Sequence, residues 1–223
     1  MTIAIAALAA ALLGAAGPYV MRRIPEPLEP DADKVPYAVL SRAKGLTVGL
    51  ALGSALMAGV VAWRIDHAEL LPAWVLVTGV GSWLVFIDWR TRLLPYVVVA
   101  PTYLATLALV GLGAFLLGDA DVFVDALVAN IVVYVIFRIL HWIARGAFGF
   151  GDVRLSGVLA AALGALGGHE VMVGMYAGFL LGAVFGLVLS RLKIVDPKSY
   201  AFGPYMVVGA VIGAAWGPAV YGG

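Results

Sequence analysis

LPAWVLVTGVGSWLVFIDWRTRLLP, residues 71–95, decides how this chain must be built. From Leu70 to Ile87 no side chain carries a charge; Asp88, Arg90 and Arg92 then follow within five residues. A helix rises ~1.5 Å per residue and a hydrocarbon core is ~30 Å thick, so ~20 apolar residues with a charged end read as a membrane span. Applied outward from this run, the same ruler finds eight spans: 2–21, 45–64, 70–88, 94–117, 122–144, 154–168, 171–191 and 202–220. The chain is therefore expected to be an all-α, polytopic membrane protein, a single membrane-embedded domain over 1–223.

Composition agrees. Of 223 residues 63% are apolar, and 28 glycines raise that share to about three quarters, against the ~45–50% usual for soluble domains counted that way. A mean hydropathy of +1.03 excludes a disordered chain. A net charge of +1 argues against nucleic acid as a partner. With no cysteine there is no disulfide, cysteine-based zinc site or cysteine nucleophile.

Charge sets the sidedness. Arg22 and Arg23 directly follow the first run, which reads as a retained helix, so the positive-inside rule puts the N-terminus outside and residues 22–44 in the cytoplasm. Eight crossings then return the C-terminus outside. Arg22, Arg23, Lys34, Arg42, Lys44, Arg90, Arg92, Arg138, Arg145, Arg154, Arg191, Lys193 and Lys198 fall on the cytoplasmic side and only Arg64 does not, while Asp66, Glu69, Asp119, Asp121, Asp125 and Glu170 gather opposite. The 22–44 stretch, with Pro25, Pro27, Pro30 and Pro36 among mixed charges, reads as a short extended loop. Gly174, Gly178, Gly182 and Gly186 at four-residue spacing read as a helix-packing face. Trp63, Trp74, Trp83, Trp89, Trp142 and Trp216 lie mostly near span ends, as interface anchors do.

Few side chains can carry chemistry. His169-Glu170 begins like a zinc-protease helix, but Val173 stands where the second histidine belongs. Ser82 has no nucleophile turn around it, and no phosphate-binding glycine loop is present. Asn130 and His141, in the fifth span, read as interhelical hydrogen-bonding groups.

Two aspartates at helix ends remain, Asp88 and Asp152, sixty-four residues and two crossings apart, hence at the same face. Taken singly, Asp88 also reads as a juxtamembrane charge neutralised by Arg90 or Arg92, and Asp152 as an N-cap. The sixth run weighs against that. Leu155 to Gly168 makes only ~21 Å of helix, too short for the core, which draws Asp152 below the membrane surface. A carboxylate there needs a partner or a wet cavity. Gly149 and Gly151 leave room for an extended peptide and for loop movement. Two neighbouring aspartates share one proton, the state in which one takes a proton from water while the other protonates a scissile carbonyl.

At these residues the chain resembles the type IV prepilin peptidases, membrane aspartic proteases with a G-x-G-D motif. The first likeness is Asp88-Trp89-Arg90-Thr91-Arg92-Leu93-Leu94-Pro95, an aspartate followed by a hydrophobe and proline. The second is Gly149-Phe150-Gly151-Asp152-Val153-Arg154-Leu155, with a basic residue two after the aspartate. The third is Ala201-Phe202-Gly203-Pro204-Tyr205, an aromatic-Gly-Pro element opening the last helix. Tyr96 replaces the common asparagine after the proline, and Arg154 the usual lysine. The likeness covers the last six spans, from about residue 70.

The resemblance implies a fold, an activity and partners. Asp88 and Asp152 would be catalytic, with Gly149, Gly151, Arg90, Arg92, Pro95, Arg154, Phe202, Gly203 and Pro204 binding substrate or shaping the site. No metal or cofactor is implied. The substrate would be a prepilin or pseudopilin whose leader is cut at the cytoplasmic side of the plasma (inner) membrane. Longer family members carry a four-cysteine cytoplasmic domain and an N-methyltransferase activity; with residues 22–44 in that place and no cysteine, proteolysis is expected and methylation is not. Competing readings are a protease like the signal peptide peptidases, whose proline-alanine-leucine element is absent, a proton or cation transporter using Asp88 and Asp152, and a degenerate scaffold.

Overall fold

In lipid every backbone amide and carbonyl must be satisfied within the protein, so each long apolar run is expected to close its own hydrogen bonds as a helix. The computed structural model, which describes residues 1–26, 34–144, 149–192 and 201–221 (side chains of 187, 189, 190, 218, 220 and 221 excepted), has a helix at every one of the eight runs. Arg145, Lys193, Lys198, Pro27 and Pro30 lie outside the described residues. In order the helices are α1 (Thr2–Ala15), α2 (Gly17–Met21), α3 (Tyr37–Leu40), α4 (Leu46–Arg64), α5 (Leu71–Thr91, entered through a 3-10 turn at Ala68–Leu70), α6 (Tyr96–Leu117), α7 (Asp121–Ile143), α8 (Phe150–Gly164), α9 (Gly168–Arg191) and α10 (Gly203–Tyr221). Six stretches are long and apolar enough to cross a membrane: Thr2–Met21, Leu46–Arg64, Ala68–Thr91, Tyr96–Leu117, Asp121–Ile143 and Gly168–Gly186. The expected eight thus includes two shorter helices. α8 has 15 residues, and α10 has 19, of which Gly203–Gly217 is the apolar stretch among the described residues.

Those short helices lie in the interior. α8 is buried without interruption from Leu155 to Gly164, among α6, α7, α9, α10 and α5. α5 is the other central helix: most of its side chains are buried, whereas most of those on α7 face outward, and α1, α4, α6, α8 and α10 surround it. The main core joins Trp74, Leu84 and Ile87 of α5 to Leu155 and Leu159 of α8 and Met206 of α10.

Helices α9 and α10 make the most intimate pair, through glycine. A Cβ on Gly209 would stand 2.5 Å from the Gly178 amide nitrogen, and one on Gly213 would lie 2.6 Å from Gly174 Cα. The four-residue glycine spacing is therefore a packing face for Gly174 and Gly178, while Gly182 receives the Phe202 ring. Trp74 and Trp83 are core residues rather than interface anchors: both are buried, and Trp83 Nε1 donates to Gly14 O at 3.0 Å.

Alternating helix direction gives the bundle two ends. At the far end, Arg64 Nε donates to Ala215 O at 2.6 Å, which ties α4 to the carbonyl-rich end of α10. Every other described lysine and arginine follows the chain to the opposite end. There the described part of the 22–44 stretch, residues 22–26 and 34–44, departs from the extended loop expected of it. Tyr37, Leu40 and Ser41 are buried, Arg22 Nε donates to Ser41 Oγ at 3.3 Å, and the Tyr37 amide donates to Glu26 Oε1 at 2.7 Å. Residues with no glycine-rich tract between them and with Tyr37 and Leu40 on one helical face fold back onto the bundle.

Substituting Gly213→Leu should force α9 and α10 apart and cost about 3 kcal/mol or more, the upper range for overpacking. Gly53→Leu, whose Cβ would meet nothing within 4 Å, should be neutral or mildly stabilising. Thermal unfolding of the two variants in detergent checks the contrast, and equal melting would contradict the tight pairing.

Candidate active site

The site forms where the ends of α5, α8 and α10 meet. Asp88 sits one turn inside the end of α5 rather than at its last residue, and is 4% exposed. Helix α5 then stops at Arg92, whose φ of 57° makes it the only non-glycine residue with positive φ among the described residues. Its amide donates to Asp88 O at 2.7 Å. Thr91 sets the turn: its buried hydroxyl donates to Ile87 O at 2.8 Å and accepts from the Leu93 amide at 3.3 Å. Buried Pro95, at φ −65°, then caps the start of α6.

This turn leans on α8. A Cβ on Gly151 would stand 2.8 Å from Leu94 Cβ, so the absent side chain accommodates Leu94 rather than open space for a peptide. Asp152 follows as the third residue of α8, a helix that begins earlier than the apolar run suggested. It is 8% exposed, and its carboxylate accepts the backbone amide of Gly149, the residue that caps the start of the helix. Among the described residues Asp152 Oδ1 is buried with no hydrogen-bond partner. Asp88 and Asp152 lie within electrostatic reach of each other.

The third segment completes the site through its backbone. Gly203, the first residue of α10, donates its amide to Asp88 Oδ2 at 2.9 Å, and a Cβ there would stand 2.8 Å from the same oxygen. First-turn amides of a helix have no internal partner, and the helix dipole favours negative charge there. Each aspartate therefore lies at a helix N-terminus, Asp88 at that of α10 and Asp152 at that of α8. Phe202 and Pro204 are buried beside this contact, Phe202 with its ring centroid 5.5 Å from that of Phe179.

The basic residues of these motifs are arranged differently. Arg90 and Arg92 are exposed, and Arg154 is half-buried with its guanidinium carbon 4.5 Å from the Tyr96 ring centroid and 4.6 Å from that of Phe150. Gly149 is extended, and a Cβ on it would approach Asp152 Oδ2 to 3.0 Å. Ser82 is bonded within the bundle, donating to Gly79 O and accepting from Ser54 Oγ. Asn130 is an interhelical tie: its amide donates to Gly157 O at 2.7 Å and its oxygen accepts from the Tyr103 hydroxyl at 2.9 Å. Sequence reasoning gave Thr91 no role and Leu94 only its place as the hydrophobe before the proline; their signal is a hydroxyl and a hydrophobe spaced to close the turn after Asp88.

Comparison with known proteins bears on the same segments. The family model described as type IV leader peptidase family matches residues 74–190, a stretch containing both aspartates. The prepilin leader peptidase/N-methyltransferase of Pseudomonas aeruginosa is 30% identical over 173 residues, covering 74% of this chain and 57% of that protein. The Pseudomonas putida protein of that name is 30% identical over 183 residues, with 76% and 58% covered. The one from Aeromonas hydrophila is 32% identical over 161 residues, with 69% and 50% covered. This chain thus spans between half and three fifths of the relatives' length. No solved structure matches it.

A buried carboxylate oxygen without a partner costs roughly 1–3 kcal/mol, more than the ~0.3–1 kcal/mol an acid gains from a helix N-terminus. Asp152→Leu should therefore leave the bundle as stable as wild type or more so, read as its melting temperature in detergent. A large loss of stability would make Asp152 a structural group.

Proposed function

The chain belongs to the type IV leader peptidase family, and from that membership we propose that it is an aspartic endopeptidase that removes the leader of a prepilin or pseudopilin, with Asp88 and Asp152 as its catalytic pair. The observation that carries the reading is the convergence of two buried carboxylates, sixty-four residues apart in sequence, at one end of the bundle, each at a helix N-terminus.

Two carboxylates this close hold one proton between them at least cost. Asp88, which already accepts the Gly203 amide, is arranged to be the ionised base, and Asp152, with a free Oδ1, to carry the shared proton. Asp88 takes a proton from water as the water oxygen bonds to the scissile carbonyl carbon, and Asp152 gives its proton to the carbonyl oxygen. The pair has exchanged roles. In the second step the tetrahedral diol returns a proton to Asp152, Asp88 protonates the departing nitrogen, and the C–N bond breaks. The pair ends as it began, with water consumed and no covalent enzyme intermediate.

The topology we propose has all eight helices α1 with α2, α4, α5, α6, α7, α8, α9 and α10 crossing the bilayer, with the aspartate end cytoplasmic. Its support is the basic asymmetry between the bundle ends. A leader lying in the cytoplasm ahead of a hydrophobic helix then meets the pair at the membrane boundary, where Arg90, Arg92, Gly149, Pro95, Phe202 and Pro204 shape the approach.

Co-expression with a panel of tagged prepilins, followed by gel shift and sequencing of the mature N-terminus, tests this. Wild type should cleave at least one, and Asp88→Asn or Asp152→Asn should each lose activity by ~10²-fold or more. Gly203→Ala, which pushes a methyl against Asp88 Oδ2, should lower cleavage by roughly tenfold or more while the protein stays folded. Cleavage that survives both aspartate substitutions contradicts the assignment.

A further inference from the structure

Beside the catalytic end, a groove of ≈ 550 Å³ runs between α6, α7 and α8, lined by Tyr96, Ala100, Tyr103, Asn130, Ile131 and Val135 among others. Leu104 and Ile131 on its walls are exposed, so it opens sideways, toward lipid in a bundle that spans a membrane. Its floor is closed by the Tyr103–Asn130–Gly157 hydrogen bonds. Arg154 stands at the end nearest the aspartates.

A second cation joins it there. Arg138, one turn beyond the groove-lining face of α7, has its guanidinium carbon 5.0 Å from the Phe150 ring centroid, and Arg154 lies 4.6 Å from the same centroid. Neither guanidinium meets a carboxylate among the described residues. Arg138 is exposed at the groove's mouth and Arg154 half-buried on its wall, and two like charges on one ring repel each other, the aromatic face compensating only in part. An anion within reach of both removes the imbalance. Arginine forks match phosphate oxygens in two-point geometry.

We propose that this groove binds an anionic glycerophospholipid, its phosphate held by Arg138 and Arg154 and an acyl chain lying along α6 and α7. The order of the lining fits such a molecule: charge at the bundle end, apolar walls along the depth. Basic pockets between transmembrane helices on the cytoplasmic side are where anionic headgroups bind. A protein helix is a poorer match, since Tyr96, Tyr103, Tyr134 and Leu104 are bulky where close helix approach favours small residues. The site adjoins the catalytic one: Phe150 and Asp152 share the first turn of α8. The lipid site rests on the groove and its arginines and stands whether or not the chain cleaves prepilins.

Native mass spectrometry of the protein released from micelles with equimolar phosphatidylglycerol and phosphatidylcholine tests the site. Wild type should retain one phosphatidylglycerol in preference to phosphatidylcholine. The Arg138→Gln/Arg154→Gln double variant should lose that preference by roughly tenfold or more, the scale expected for two basic contacts. Ala100→Trp, which fills the groove and leaves both arginines in place, should lose the lipid as well. Equal retention of the two lipids, or a preference untouched by both variants, overturns the proposal. So does retention that survives Ala100→Trp but is abolished by inorganic phosphate, which would reduce the site to a headgroup contact. Displacement by a stoichiometric hydrophobic-helix peptide would also overturn it, giving the groove to a protein.

Discussion

Two close approaches hold the aspartate end together, and both depend on a missing side chain. Leu94 seats where Gly151 has no Cβ, and the Asp88 carboxylate seats where Gly203 has none. The first joins the turn after α5 to the start of α8; the second joins α5 to the start of α10. A methyl at either glycine would have to displace a leucine Cβ or a buried carboxylate, and the helix ends would separate. The remaining architecture places those ends within reach of each other. α5 and α8 form the interior, α9 and α10 lock through glycine, and α1 and α4 close the other side of α5.

This arrangement answers the hardest question a membrane interior asks of an acid. A carboxylate in low dielectric is expensive unless something answers its charge. Asp88 is answered by a peptide amide at the start of α10, while Asp152 retains one oxygen with no partner. Structural carboxylates are usually satisfied completely, and an unsatisfied one held in a packed setting is a group kept ready for another molecule. Arg92, forced to positive φ to end α5, belongs to the same economy of local strain around a site.

Much of this was legible in the residues. Apolar run length located all eight helices, because a chain in lipid has no alternative to closing its own backbone bonds. Crossing parity put Asp88, Asp152 and Phe202 at one end before any contact was known. Boundaries were less legible where charge and burial part company. The run ending at Asp88 stopped short of Thr91 because Arg90 interrupts the apolar count, and the run beginning at Arg154 started late because that count leaves out Asp152, which the fold nevertheless buries. The 22–44 stretch looked extended because its prolines and charges outweighed Tyr37 and Leu40, whose burial depends on the bundle below. Trp74 and Trp83 show a similar limit. Tryptophan near a span end suits an interface, yet here both fill the core. Gly151 read as room for a peptide, and only the position of Leu94 could show that the room was taken.

The central claim is that Asp88 and Asp152 face each other, and the absence of cysteine from the chain allows a direct test independent of any substrate. Asp88→Cys and Asp152→Cys combined in one chain should be bridged in native membranes by a short bifunctional thiol reagent, read as a linked pair of peptides after proteolysis. Asp88→Cys combined with Asp125→Cys, at the far end of the bundle, should not be bridged. Failure of the first pair to link while both thiols remain reactive would contradict the account.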